Sequence, residues 1–87
     1  MLINQLKQKI EKSLITEVIL ARAPDNKLPG FWFMWAMAAK MITGKIIMLK
    51  KETPLAFETL DEAIELVSSF GYDGKITVAW ERGMICN

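Results

Sequence analysis

The fold is built around Gly30-Phe31-Trp32-Phe33-Met34-Trp35-Ala36-Met37-Ala38-Ala39, which carries aromatic or Met side chains at five consecutive positions. Side chains of a strand alternate between its two faces, so a strand here is apolar on both faces and needs cover on both. Aromatic enrichment and the preceding Pro29-Gly30 turn pair favour a strand over residues 31–38. A buried helix is the alternative, because periodicity alone does not assign a short apolar run.

The composition describes one small, apolar domain. The chain has 87 residues, of which 52% are hydrophobic, and a net charge of +1. We expect a single domain over residues 1–87. The apolar fraction exceeds what one small core needs, so we expect part of it at an interface. No apolar run has the length of a membrane span or the pattern of a signal peptide, so we interpret the chain as cytoplasmic with no membrane partner.

The sequence shows no pattern typical of a catalytic or metal site. It lacks His, the commonest general base and metal ligand, and its single Cys86 lies beside the last residue. The acidic residues Glu58, Asp61, Glu62 and Glu65 are interpreted as helix capping and a solvated surface, with a carboxylate metal site as the alternative. We therefore expect a protein that is not an enzyme, with no catalytic residues, no metal and no cofactor.

Hydrophobic periodicity and turn residues divide the chain into six elements. The predicted ranges are helix 2–13, strand 15–22, strand 31–38, strand 45–51, helix 60–70 and strand 75–81. The 15–22 segment also fits an extension of the first helix. Thr59 and Glu62 form a Thr-x-x-Glu capping box before the second helix, and Gly71 is expected to end it. Residues 82–87 are expected to form a frayed tail.

The order α-β-β-β-α-β predicts an α+β two-layer sandwich. We expect a mostly antiparallel sheet of three to four strands with both helices on one face. Two short helices cover only one face, so we expect the second face to expose Trp32 and Met34. A contiguous apolar surface of this kind marks an interaction site, and Trp and Met are enriched at such sites. The candidate interface residues are Trp32, Met34, Trp35, Met48 and Trp80.

The first functional hypothesis is a small non-enzymatic protein-interaction module of the adaptor or inhibitor type. Its partner is a second copy of the chain in a twofold homodimer, or another protein, bound through the apolar sheet face. This hypothesis predicts that Trp32→Ala or Met34→Lys breaks association and leaves the secondary structure intact.

The alternative hypothesis is a nucleic-acid-binding module. An aromatic sheet with lysines at its margins can stack single-stranded bases. The candidate nucleic-acid contacts are Lys45, Lys50, Lys51 and Lys75.

A short motif bears on this alternative. The segment from Trp35 through Gly44-Lys45 to Phe57-Glu58-Thr59-Leu60-Asp61-Glu62-Ala63 resembles the three-strand-plus-helix pattern of arm-type and AP2-type DNA-binding domains. It shares their Gly-Lys hairpin and their Phe-x-Thr-x-x-Glu-Ala helix start. The resemblance covers under half of the chain and implies a sheet that contacts DNA. Where that family carries basic strand residues, this chain has Trp, Met, Ile and Leu, so no site residue is carried over.

Overall fold

The computed structural model of the chain describes residues 1–23 and 30–79 and confirms the α+β class. Over these residues the chain forms two helices and seven short strands. They are α1 (Ile3–Glu11), β1 (Ile15–Arg22), β2 (Trp32–Ala38), β3 (Lys45–Ile46), β4 (Met48–Lys50), β5 (Thr53–Pro54), β6 (Ala56–Phe57), α2 (Leu60–Ser69) and β7 (Lys75–Ala79). Neither helix is long and apolar enough to cross a membrane.

The main sheet has β1 and β2 at its centre. These strands pair antiparallel, with Leu20 opposite Met34 and Ile19 opposite Trp35. β7 pairs parallel with the other side of β1. Two strands, β3 and β6, pair with the outer side of β2. Both are antiparallel to it, and they pair with different positions along its length. The sheet is therefore mixed but mostly antiparallel, and the sequence alone did not indicate this strand order.

Helix α2 connects the two opposite edges of the main sheet. β6 lies at the β2 edge and β7 at the β1 edge, so the chain crosses two strands between them. Both β6 and β1 are antiparallel to β2, and β7 is parallel to β1, so β6 and β7 run in the same direction. Parallel strands need a crossover connection, and α2 provides it.

Both helices pack on the same face of the sheet, as predicted. The buried cluster on this helix-covered face joins α1, α2 and inward-pointing strand residues. Its fully buried large side chains are Leu6, Val18, Leu20, Met34, Ile47 and Val67.

The second helix begins and ends close to where its sequence predicts. The Thr59 hydroxyl accepts a hydrogen bond from the Glu62 backbone N–H at 3.2 Å, which caps the first turn. At the other end Gly71 has φ of +95°, and the N–H of Tyr72 donates to the Val67 carbonyl at 3.0 Å. This is the Schellman arrangement, in which a left-handed residue lets the chain reverse and satisfy a terminal carbonyl.

The first helix ends in the same way without a glycine. Ser13 adopts φ of +58°, and the N–H of Leu14 donates to the Lys9 carbonyl at 2.9 Å. β1 then begins at Ile15, so residues 15–22 form a strand and do not extend the helix.

The prediction of one continuous strand over residues 45–51 is wrong. The segment is divided at Ile47, whose side chain is fully buried in the helix-covered cluster and whose N–H donates to the Met34 carbonyl at 2.8 Å. Residues before this point pair with β2, whereas β4 turns away and pairs with β5 in a separate two-stranded sheet. The run of apolar residues 46–49 is continuous, so the sequence contains no signal for this division.

Candidate functional site

The sheet face opposite the helices carries a second apolar cluster. We call this face the outer face and define it by Ile19, Phe31, Phe33, Trp35 and Ile46, which share it with four small Ala residues. Among the described residues, this cluster contains side chains from strands and their flanks and none from either helix. The outer face is therefore an apolar cluster that, within the described part of the chain, is built by the strands and their flanks.

The outer face has a buried centre and a half-buried rim. Phe33 and Trp35 lie at its centre, with ring centroids 6.2 Å apart in a tilted arrangement, and are 5% and 7% exposed. Ile19, Phe31 and Ile46 surround them and are each partly exposed. A partner approaching this face would contact the rim first.

The expectation that Trp32 and Met34 lie on the uncovered face is wrong. Both belong to the helix-covered cluster, and their exposures are 6% and 0%. The Trp32 ring also lies 5.3 Å from the guanidinium carbon of Arg22, in cation–π contact. Both faces of β2 are apolar, so alternation could separate the residues into two sets but could not say which set meets the helices.

The other three interface candidates fall in three different places. Trp35 lies on the outer face, opposite Ile46 of β3. Met48 lies in the small sheet, where it is half-buried, pairs with Pro54 and bridges to Leu2. Trp80 lies outside the described residues. The structure therefore does not gather the predicted interface residues into one surface.

One corner of the outer face is polar. The hydroxyl of Thr77 donates to the Glu17 carboxylate, and the ammonium of Lys75 lies 3.8 Å from the same carboxylate. Glu17 is directly paired with Lys75 across β1 and β7. No short sequence motif indicates this group, because its contacts join residues about 60 positions apart and depend on a strand order that the sequence does not reveal.

The predicted nucleic-acid lysines lie at both edges of the sheet. Lys45 on β3 lies opposite Ala36, on the side of the helices, and Lys50 and Lys51 belong to β4 and its turn. Lys75 lies on β7, at the far edge, where it pairs with Glu17. The four lysines therefore do not border one aromatic surface.

A shallow pocket lies between the end of α1 and the turn that precedes β7. It is lined by residues that include Ile10, Tyr72 and Asp73. The Tyr72 hydroxyl donates to the Lys75 carbonyl at 2.6 Å, and burial, helped by the nearby Glu17 and Asp73 carboxylates, raises the pKa of this phenol. Its proton is therefore held in a structural hydrogen bond, and Tyr72 closes the end of the core.

The acidic side chains of the described residues form no metal-binding cluster. No three of the Asp and Glu residues in ranges 1–23 and 30–79 come close enough together to hold a metal ion. All the buried residues there are hydrophobic, apart from the phenol of Tyr72.

Comparison with family models, curated proteins and solved structures finds no match in any of the three.

Proposed function

We propose that this chain is a small non-enzymatic protein-interaction module whose partner binds the outer face. The partner is a second copy of the chain or another protein, in the manner of an adaptor or an inhibitor. The observation that supports this proposal is the position of the second apolar cluster, on a face that neither helix covers among the described residues.

The shape of the outer face suits a protein partner. Partly exposed apolar side chains that lie next to one another on a protein surface are typical of interaction sites. Phe31 and Ile46 supply the accessible contact surface, and Phe33 and Trp35, which are already buried in the unbound chain, pack beside them in the same cluster. The Glu17–Lys75 pair at the corner can fix the orientation of a partner through charge.

The experiment that tests this proposal compares two Ile→Lys variants four residues apart. Ile46→Lys places an ammonium on the rim of the outer face, opposite Trp35. Ile42→Lys makes the same change in the β2–β3 connection, where the side chain is 95% exposed. The first variant should weaken association because the ammonium must be desolvated at the interface, and the second should leave association unchanged.

The first readout is absolute mass by size-exclusion chromatography with light scattering, over a dilution series of each protein. Loss of mass in Ile46→Lys alone supports self-association through the outer face. If the unsubstituted protein has a mass of 9.9 kDa throughout, the partner is a different molecule. Recovery of a partner from lysate with the unsubstituted protein and Ile42→Lys, but not with Ile46→Lys, then supports the proposal.

Equal behaviour of Ile46→Lys and Ile42→Lys in both assays contradicts the proposal. Nuclease treatment of the lysate separates the two functional hypotheses. A partner that is lost on nuclease treatment, with steeply salt-dependent binding to oligonucleotides, replaces the protein-interaction proposal with nucleic-acid binding.

A further inference from the structure

The two edges of the main sheet differ in the length of their outermost strands. At the β2 edge the outermost strands are β3 and β6, each of two residues, with the β4–β5 hairpin between them in the chain. Very short edge strands offer little backbone to a neighbour and are a common protection against unwanted pairing. At the other edge the outermost strand is β7, an unbroken strand of five residues, Lys75–Ala79.

Among residues 1–23 and 30–79, no segment pairs with the outer side of β7. Alternate residues of an edge strand direct their N–H and C=O groups away from the sheet, where they can accept another strand. Ile76, Thr77 and Val78 are β-branched and hence favourable in strands, and all three are only half-buried although they belong to the sheet. β7 contains no Pro or bulge that would prevent pairing.

The sequence of β7 is compatible with itself in one antiparallel register. With Thr77 opposite Thr77 on a twofold axis, Ile76 lies opposite Val78 and Lys75 lies opposite Ala79. No charged residue then faces a like charge, and Thr–Thr and Ile–Val are favourable cross-strand pairs. Lys75 keeps its own carboxylate, because Glu17 lies on the inner side of β7.

We infer that two copies of this chain pair through their β7 strands, antiparallel about a twofold axis at Thr77, to form one continuous sheet. A twofold pairing engages the β7 edge of both copies and closes the assembly, whereas a head-to-tail pairing would not close it. Ile76 and Val78 of each copy extend the helix-covered core across the junction. This inference does not depend on the proposed function.

One consequence does rest on the proposed function. An antiparallel twofold pairing within a sheet keeps corresponding faces on the same side. The outer faces of the two copies therefore lie side by side, and a partner protein meets a doubled apolar surface with the two polar Glu17–Lys75 corners near its middle.

The test is a Thr77→Lys substitution, with Thr43→Lys as the matched control. Two lysines face each other on the twofold axis in Thr77→Lys, and like charges placed opposite each other weaken association, here by about tenfold or more. In the monomer, the new ammonium lies beside Glu17, which favours it. Thr43 is exposed in the β2–β3 connection, so the control should associate as the unsubstituted protein does.

The readout is mass across a dilution series, in which the unsubstituted protein should move between twice 9.9 kDa and 9.9 kDa. Mixing Thr77→Lys with Thr77→Glu should restore the dimer mass, because opposite charges then meet on the axis. A monomer at every concentration, or a Thr77→Lys dimer as stable as the control, overturns the inference.

A measurement on the unsubstituted protein covers the case in which a Thr77 variant fails to fold. Hydrogen exchange at high and low concentration should show added protection of the outward amides of residues 75–79 in the dimer. Unchanged protection there overturns the inference. Ile46→Lys distinguishes pairing through β7 from pairing through the outer face, because it should leave a β7 dimer intact. Loss of the dimer in Ile46→Lys but not in Thr77→Lys would show that the copies associate through the outer face, and it would reject β7 pairing.

Discussion

The two faces of β2 bury large side chains in different surroundings. Trp32 and Met34 meet α1 and α2, whereas Phe33 and Trp35 lie in a cluster that contains no helical residue among those described. All four side chains are 7% exposed or less. Low exposure therefore does not show whether a residue packs in the cluster that the helices cover or in the cluster on the outer face. The neighbouring element makes that distinction, and substitutions on the two faces should have different effects.

The largest difference is expected between Met34→Lys and Met37→Lys, which make the same change on opposite faces of one strand. Met34 is fully buried, so Lys there leaves an unpaired charge in the core and should cost about 3–5 kcal/mol of unfolding free energy. Met37 is half-buried opposite Glu17, so Lys there should cost less than about 1 kcal/mol.

Urea unfolding followed by circular dichroism measures both values. Equal destabilisation by the two variants would contradict the distinction between the faces. The Met34→Lys result also separates two expectations. The structure predicts that this variant is strongly destabilised, whereas the sequence predicted that it breaks association and leaves the secondary structure intact.

Gly74→Ala is expected to disturb the end of the helix-covered face. A Cβ at this position would lie 2.7 Å from the Tyr72 hydroxyl oxygen, so the phenol must move and release the Lys75 carbonyl. We expect a loss of about 1–3 kcal/mol in unfolding free energy. Gly30→Ala is not a suitable control, because Gly30 has a positive φ and a Cβ at that position is itself destabilising. Adding Tyr72→Phe should recover little of the stability, because the Cζ and Cε1 ring carbons, at 2.9 and 3.0 Å from the added Cβ, remain.

Thr59→Ala should destabilise α2, which packs on the helix-covered face, and should leave the outer face unchanged. It removes the hydroxyl that accepts the Glu62 N–H, at a cost of about 1 kcal/mol. Thr59→Ser keeps the cap and should be close to neutral. Thermal unfolding measures the loss, and partner binding through the outer face should be retained below the midpoint of unfolding. Loss of binding by the folded variant would contradict the independence of the two faces.

Alkaline pH should reduce the stability of the helix-covered side. The pKa of Tyr72 is raised in the folded protein, so the unfolded state loses the phenolic proton at lower pH than the folded state does. The stabilisation is present below the ordinary pKa of tyrosine and is lost as the pH rises through the raised value. Tyr72 is the single Tyr of the chain, so its phenolate absorbance reports the titration directly. Tyr72→Phe should flatten this pH dependence.

The smallest expected effect is that of Ser13→Gly at the end of α1. Ser13 has φ of +58°, where glycine is favoured, so the substitution should stabilise the protein by about 0.5 kcal/mol. Gly71→Ser makes the reverse change at the matching position of α2 and should destabilise it by about 1 kcal/mol. Thermal unfolding of the pair measures both, and destabilisation by Ser13→Gly would be inconsistent with the shared end geometry of the helices.

Local signals in the sequence predicted both helices and strands β1, β2 and β7, but neither the division of strand 45–51 nor the short strands β5 and β6. The Thr59 cap, the Gly71 end of α2 and the β-branched run of β1 each act within a few residues, and the structure confirms all three. The α+β class and the placement of both helices on one face follow from the order of these elements.

The arrangement of the elements was not predictable in the same way. The parallel pairing of β7 with β1 and the division at Ile47 depend on contacts between distant parts of the chain. The choice of face for Trp32 and Met34 depends on where the helices dock, and both faces of β2 are equally apolar. The Glu17, Lys75 and Thr77 corner was missed for the same reason, since no short motif brings these residues together.

The crossover through α2 has a consequence for the order in which the protein folds. β1 and β2 pair as neighbours in the chain, but β1 meets β7 only across a separation of about 60 residues. Contacts of such long sequence separation form late, because the entropy cost of closing a long loop precedes the stabilisation that strand pairing provides. During synthesis on a ribosome, the N-terminal hairpin is made well before Lys75–Ala79. One side of β1 therefore stays unpaired for that interval, and this is the period in which the nascent chain is most exposed to aggregation and to chaperone binding.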